Sequence, residues 1–592
     1  MSGAHRGQRS SGGPDRTARR LAALLLMTLA ALPNLAPAQA SGKPEVDPLA
    51  IGRRIYRDGI LPSGQALQGL APANVTLSGA DAACSTCHRR SGYGSSEGPI
   101  EVRPITGPAL FGIPLAVPGA AGPSAPAGAA STAELAPAEA ARANANALRA
   151  ARAAALAGNR QRPTYDDASL VRALGDGVDV SGRRMSPSMP RYALEPEALE
   201  SLTAYLKTLS VQASPGVTED KIHFATVIQP GTDAAQRSAL LEVLQAFVQD
   251  RNAGQRAEVR RERAGSVQLR RTYREWVLHV WDLTGASDTW AGQLEAYDRR
   301  QPVFALVSGL GNASWRPIHE FSERFEVPCI FPQVDVPVLG DRDFYTVYLS
   351  KGIALEAQAL AKFLHDEGER GPVLQVFRRD ATSAAAAEAF RRAWSAATGT
   401  APLERVLDEA PGEAFWQRLA RQAPGATLVL WLPPQDLAQA QALTAVDSPV
   451  KAVYLSSGLN AGRGSGVASD GDDRVRLVYP QDLPKVREAR LEVVRRWLRN
   501  KSIAISDEKL QMNAYLAVTV TGMLVSHSMD TYSREYLLER MEHRLGTAVE
   551  LSIYPHLSLG PGQRFASKGS YIVQVGGGHE PRLTPLSDWI VP

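Results

Sequence analysis

Hydrophobic positions divide the chain into three regimes. Leu21–Leu32 is a largely apolar run closed by Pro33. Between residues 41 and 210, apolar residues recur at helical spacing in three main stretches. Asp47–Asp58 carries Ile51, Ile55 and Tyr56 on one face, with Gly52 at a packing position and Gly59 as a C-cap. Asp167–Leu174 is the second, and Glu195–Leu209 the third, with Leu199, Leu202, Tyr205 and Leu206 together. From Ile222 onward, short apolar runs alternate with amphipathic stretches. The pattern predicts strands at His223–Val227, Trp276–Asp282, Val303–Val307, Pro328–Phe331, Val373–Phe377, Thr427–Trp431 and Ala452–Ser456. It predicts helices at Ala235–Arg251, Trp290–Arg299, Trp315–Glu326, Ile353–Asp366, Ser383–Ala397, Ala414–Gln422 and Leu437–Thr444. Strands separated by helices of this length form βαβ units around a mainly parallel sheet. Their number suits two doubly wound lobes.

The first forty residues read as an export signal. Arg6, Arg9, Arg16, Arg19 and Arg20 precede the apolar run, and Ala38-Gln39-Ala40 fits small-x-small cleavage. The run is too short to span a bilayer, which takes about 20 residues. The mature chain, from about Ser41, is expected in a periplasm, with no membrane span. The whole chain carries 65 basic and 61 acidic residues; without the signal the two balance. A neutral chain lacks the basic excess of nucleic-acid binders. Composition is that of a globular protein, 44% hydrophobic and 21% charged. Three cysteines exclude a disulfide-stapled scaffold.

Two of those cysteines carry the strongest chemical signal, Cys84-Ser85-Thr86-Cys87-His88. This is C-x-x-C-H, the pattern of covalent haem c attachment. Two thiols three positions apart on one helical turn each add to a haem vinyl group, and His88 follows beneath the iron as proximal ligand. Zinc would need four ligands, and the sequence has no second cysteine pair. A redox dithiol would sit in a βαβ context, and here the flanks are Ser/Gly/Ala-rich. Cys329, in an apolar strand, reads as a buried small hydrophobe.

The surroundings resemble a class I c-type cytochrome. Gly107-Pro108-Ala109-Leu110-Phe111-Gly112 is similar to that family's Gly-Pro-x-Leu-x-Gly loop. The resemblance implies that the Pro108 carbonyl accepts the His88 ring N–H and fixes its tautomer, with Pro99 and Pro104 as alternatives. Met189-Pro190-Arg191-Tyr192 resembles the family's distal loop, which makes Met189 the second iron ligand and Met185 its competitor. The helix Glu195–Leu209 resembles the C-terminal helix that crosses the N-terminal one. With histidine and methionine on the iron, the site transfers electrons and is not an enzyme; it would be a haem enzyme only without the distal methionine. The family pattern is interrupted by an Ala/Pro/Gly-rich insertion at about 113–163, containing a helix-like stretch from Pro137 to Leu156.

Residues 211–219 read as a linker, and 220–592 resembles type I periplasmic solute-binding proteins of the branched-chain amino-acid-binding group. The points of likeness are Val303–Asn312 running into Trp315–Phe331, and Asn513–His527, similar to a long interlobe helix, followed by Ser533–Leu545. The resemblance implies a ligand in the cleft between lobes, at strand C-terminal ends. Ser308, Gly309, Gly311 and Asn312 form one such turn, and Ser456, Ser457 and Gly458 the other. Both are expected to offer N–H groups to an anion such as a carboxylate. The fold class is therefore mixed: an all-α cytochrome domain over 41–210, then a two-lobed α/β module. The expected function is periplasmic electron transfer by one haem c, with a module that docks a redox partner (a dehydrogenase or another cytochrome) or senses a small solute. The alternative is the substrate-binding component of an ABC-type uptake system with an accessory haem domain.

Overall fold

A computed structural model describes residues 47–97, 100–113, 163–264, 274–460, 467, 474–526, 528, 532–546, 551–560, 562–576 and 583–592. The export signal, the Pro137–Leu156 stretch, Pro99 and His527 lie outside the described residues.

The region before the linker contains, in order, α1 (Pro48–Asp58), β1 (Gln68–Ala71), β2 (Val75–Ser78), α2 (Cys84–His88), β3 (Ser95–Glu97), β4 (Ile100–Val102), α3 (Gly107–Phe111), α4 (Asp167–Gly175) and α5 (Pro196–Thr208). α1 buries Ile51, Gly52, Ile55 and Tyr56, the face its periodicity assigns. It crosses α5 at Gly52, where an added Cβ would lie 2.0 Å from the Ser201 carbonyl oxygen. One turn on, the rings of Tyr56 and Tyr205 pack with centroids 5.4 Å apart. α4 starts at a reciprocal cap, Asp166 with Ser169.

The expected all-α character needs correction. β1 and β2 form an antiparallel hairpin, and so do β3 and β4. Each strand has three or four residues, too few for an alternating pattern to show. The first hairpin has a structural task. Leu70 and Arg191 exchange two backbone hydrogen bonds of 2.9 Å, which pins the Met189 loop to it.

Beyond the linker, β5 (Lys221–Ile228), α6 (Ala234–Ala264), β6 (Glu275–Asp282), α7 (Trp290–Arg300), β7 (Ala305–Val307), α8 (Arg316–Phe325), β8 (Cys329–Ile330) and β9 (Thr346–Val347) build the first lobe. Its sheet has the order β6-β5-β7-β8-β9, all parallel. The second lobe follows with α9 (Ile353–Asp366), β10 (Val373–Arg378), α10 (Ala381–Thr398), β11 (Leu403–Leu407), α11 (Glu413–Gln422), β12 (Thr427–Trp431), α12 (Pro434–Leu437), β13 (Ala452–Ser456) and β14 (Val475–Tyr479). The chain then returns to the first lobe through α13 (Pro484–Asn500), α14 (Glu508–Ser526) and α15 (Arg534–Arg544), and ends in β15 (Tyr571–Val575) and β16 (Leu583–Pro585). The second sheet has the order β11-β10-β12-β13-β14-β15-β16, with β15 antiparallel to both of its neighbours, β14 and β16.

Each sheet is covered on both faces, as parallel sheets require. One face of the first lobe packs Leu240, Leu244 and Val307 against Leu491, Leu516 and Leu537. The other packs Trp281, Leu294 and Ile318. α14, the stretch resembling an interlobe helix, belongs to the first lobe's core and lies along α6. The predicted helix Leu437–Thr444 is a short α-helix at Pro434–Leu437 and a separate 3-10 turn at Ala440–Leu443. Pro433 and Pro434 start it early, because a proline ring fits the first helical turn. No described helix is long and apolar enough to cross a membrane.

Candidate functional site

Two places concentrate chemistry. At the first, Cys84, Cys87 and His88 lie on the single turn α2. Neither cysteine is in a disulfide. Burial pushes the Cys84 thiol up to about 12. The His88 ring Nδ1 meets the carbonyl of Arg103 at 3.0 Å. The expected partner was Pro108. Its carbonyl instead accepts the Gly112 N–H at 3.1 Å, closing the C-terminus of α3. The carbonyl that serves belongs to the peptide bond preceding Pro104. The close pass of Gly94 over Val102 puts it there, since a Cβ on Gly94 would lie 1.9 Å from the Val102 oxygen.

Met189 and Met185 are both half-buried against the same apolar core as Cys84. Tyr192, in the Met189 loop, donates its hydroxyl to the Ala82 carbonyl at 2.9 Å, two residues before Cys84. The loop thus faces the cysteine turn. Arg191 bonds the Met189 carbonyl and closes the loop on itself.

The residues after His88 bind the first lobe. Arg89 has φ +65°, a strained value for a non-glycine residue. It is held there by the Tyr56 hydroxyl on its carbonyl (2.7 Å) and by Glu542 on its guanidinium (3.0 Å). Arg90 stacks over Phe344, 4.2 Å from the ring centroid. The Ser91 N–H donates to Glu539 at 3.0 Å, and the Ser91 hydroxyl bonds the second carboxylate oxygen. Arg57 reaches both Glu326 (2.6 Å) and Glu535 (3.0 Å). Two glutamates of α15, Glu539 and Glu542, therefore hold the segment that follows the cysteines, and a third, Glu535, holds α1 through Arg57. His319, Glu323 and Asp343 place ligand-type atoms within 4.8 Å of one another. Glu323, however, is spent on the N–H groups of Phe344, Tyr345 and Thr346, the strip that Arg90 covers.

Glu539 makes this contact sensitive to pH. Burial pushes its carboxyl up from 4.5 to about 7, with Glu535 adding to the rise and Ser91 and Arg89 opposing it. Between those values the folded chain keeps a proton that the unfolded chain has released. The contribution to stability is complete below about pH 4.5 and is lost as pH rises through 7. Chemical denaturation at pH 5 and pH 8 should show lower stability at pH 8, by about 2–3 kcal/mol per such group. Glu539→Gln should remove its share of that slope, and an unchanged slope would refute the assignment.

The second place is the cleft between lobes, about 210 Å³ in volume. Of the residues expected to line it, Gly311, Asn312, Ser457 and Gly458 do. Ser308, Gly309 and Ser456 do not. The Ser308 and Leu310 N–H groups donate to Ile330 and Val227 in the strand ladder. The Ser456 hydroxyl accepts the Leu459 N–H at 3.2 Å. The second-lobe turn is expected to bind an external anion, and the protein supplies one itself. Glu356 accepts the Gly458 N–H at 2.9 Å and the Ser457 hydroxyl at 3.4 Å. A Cβ on residue 458 would lie 2.9 Å from that carboxylate oxygen, so glycine leaves it room. Asp335, Asp507 and Lys509 are the other charged residues of the lining. The sequence did hold a signal for Glu356: it is the one acid in the run Ile353–Leu364, and it lies on the buried face.

Neither a family model nor a curated protein matches the sequence. Among solved structures, the chain is similar to an extracellular ligand-binding receptor from Verminephrobacter eiseniae. The identity is 16%, over 60% of this chain and 98% of that one, with a TM-score of 0.41. It is similar to a leucine-binding protein from Thermotoga maritima at 14% identity, over 63% and 99% of the two chains, TM-score 0.44. It is similar, too, to a branched-chain amino acid ABC transporter protein from Thermus thermophilus with bound valine, at 12% identity, over 63% and 97%, TM-score 0.43.

Proposed function

We propose that this is an exported electron-transfer protein with one covalent haem c, fused to a two-lobed module that binds a small solute or docks a redox partner such as a periplasmic dehydrogenase or another cytochrome. The observation that carries the reading is the Cys84–His88 turn, with the His88 ring fixed by a backbone carbonyl. The residues fit the group. Cys84 and Cys87 would hold it covalently, and with its Nδ1 on the Arg103 carbonyl His88 would have Nε2 left for the iron. Met189 would be the distal ligand, presented from a loop stiffened by Pro187 and Pro190. When bound, the haem supplies one-electron exchange, and methionine ligation raises its potential. The crossing of α1 and α5 at Gly52 and the shared core of Cys84 and Met189 support the same reading.

Material matured in a host that attaches haem c should give a pyridine haemochrome spectrum and the mass of one added haem. Colourless protein with both thiols free would refute the proposal. Met189→Ala should lower the potential and abolish the methionine–iron charge-transfer band. An unchanged spectrum would give the ligand role to Met185.

The cleft favours a second reading, a solute receptor for uptake in which the haem domain is accessory. A ligand that binds equally to the oxidised and reduced forms, with transport dependent on the protein, would select it.

A further inference from the structure

Glu356 is the most unusual group in the second lobe. It is 3% exposed and sits on the cleft side of α9. One carboxylate oxygen is held by Gly458 and Ser457. The other, Oε2, is buried with no hydrogen-bond partner among the described residues. A desolvated carboxylate oxygen left unpaired costs free energy, and a donor, above all a cationic one, recovers it. The charged groups facing it from neighbouring elements are Asp335 after β8 and Asp507 and Lys509 at the start of α14. Three acids against one base give the cleft a negative balance. A carboxylate ligand would meet that charge, and would find the Ser457-Gly458 turn filled.

We propose that the interlobe cleft takes a compact amine without a carboxylate, its ammonium on Glu356 Oε2. This rests on the solute-binding reading of the module. The pocket at Glu356 holds about 210 Å³, room for a ligand of few heavy atoms, and it shares Gly311, Asn312 and Asp335 with a larger one of about 930 Å³ that Glu356 does not line. Burial pushes the Glu356 carboxyl up to about 7, against the pull of the Ser457 and Gly458 donors and Lys509. An arriving ammonium stabilises the carboxylate and expels that proton.

The test uses the full haem-loaded protein and four probes: ethanolamine, putrescine, leucine and succinate. Calorimetry at pH 6.5 should show an amine binding, with proton release seen as a heat that varies with the buffer's ionisation enthalpy. Glu356→Gln retains an acceptor for Gly458 and should bind that amine at least tenfold more weakly. Should the variant fail to fold, the proton release by the unaltered protein decides. Binding of leucine or succinate in preference to the amines overturns the amine assignment and leaves the solute-binding reading intact. An amine bound without proton release and unaffected by Glu356→Gln overturns the role of Glu356. No binding by any probe overturns the ligand class and removes support from the solute-binding reading as well.

Discussion

Gly52→Ala is expected to destabilise the N-terminal region by at least about 3 kcal/mol, although alanine normally stabilises a helix by about 1 kcal/mol over glycine. The reason is geometric. The new Cβ would lie 2.0 Å from the Ser201 carbonyl oxygen and 2.7 Å from Tyr205 Cβ. The first of these is backbone inside α5 and cannot move aside as a side chain would. α1 and α5 must separate, which unpacks Tyr56 from Tyr205 and opens the core holding Ile55, Leu202 and Leu206. Gly292, in α7, is the control: nothing lies within 4 Å of its added Cβ. Gly292→Ala should stabilise slightly. Hydrogen exchange over 48–58 and 196–208 measures the first effect directly. Equal protection in Gly52→Ala and the unaltered protein would refute the crossing described above.

The same helix pair shows what a single sequence can reveal. α1, α5 and the helices of the lobes follow from a 3.6-residue rhythm, and α9 and β12 match their expected ends, Ile353–Asp366 and Thr427–Trp431. The haem-type turn was legible because its chemistry is local, three side chains within five residues. What failed was non-local. Pro108 was chosen by likeness of a loop, whereas the carbonyl at His88 is set by a hairpin whose three-residue strands have no rhythm to read. β11 escaped because Leu403 to Arg405 are exposed on an edge strand. The anion turns were legible as glycine-bearing βα turns, but not their occupancy. Whether an N–H is spent in a ladder, or a glutamate from another helix already fills the turn, depends on contacts 102 positions apart in the chain, as between Glu356 and Gly458.

Arg534 shows how much of the assembly hangs on one such contact. Its guanidinium donates to the carbonyls of Phe304 at 3.2 Å, Phe325 at 3.2 Å, Glu326 at 3.2 Å and Val303 at 2.5 Å. Its own N–H donates to the Ser214 hydroxyl oxygen at 3.0 Å. It is 5% exposed, and burial pulls its pKa down against the opposing fields of Asp298 and Glu535. The side chain thus ties the start of α15 to the entry of β7 and the end of α8. Glu326, at that end, has φ +56° and presents its carboxylate to Arg53 and Arg57 of α1. Arg534 therefore secures the residue from which the N-terminal region is gripped. Arg534→Met keeps the stem but orphans four carbonyls, two at the entry of β7 and two at the end of α8. The expected cost is about 3–5 kcal/mol, the range for breaking a buried charged network. A lesser effect of the same kind should follow from Arg57→Met, confined to the contact between α1 and the first lobe. Thermal unfolding of both variants, with hydrogen exchange at 303–307 and 534–544, separates them. Arg534→Met should expose both segments. Should it leave them protected while Arg57→Met exposes them, the order of dependence from α15 outward to α1 would be wrong.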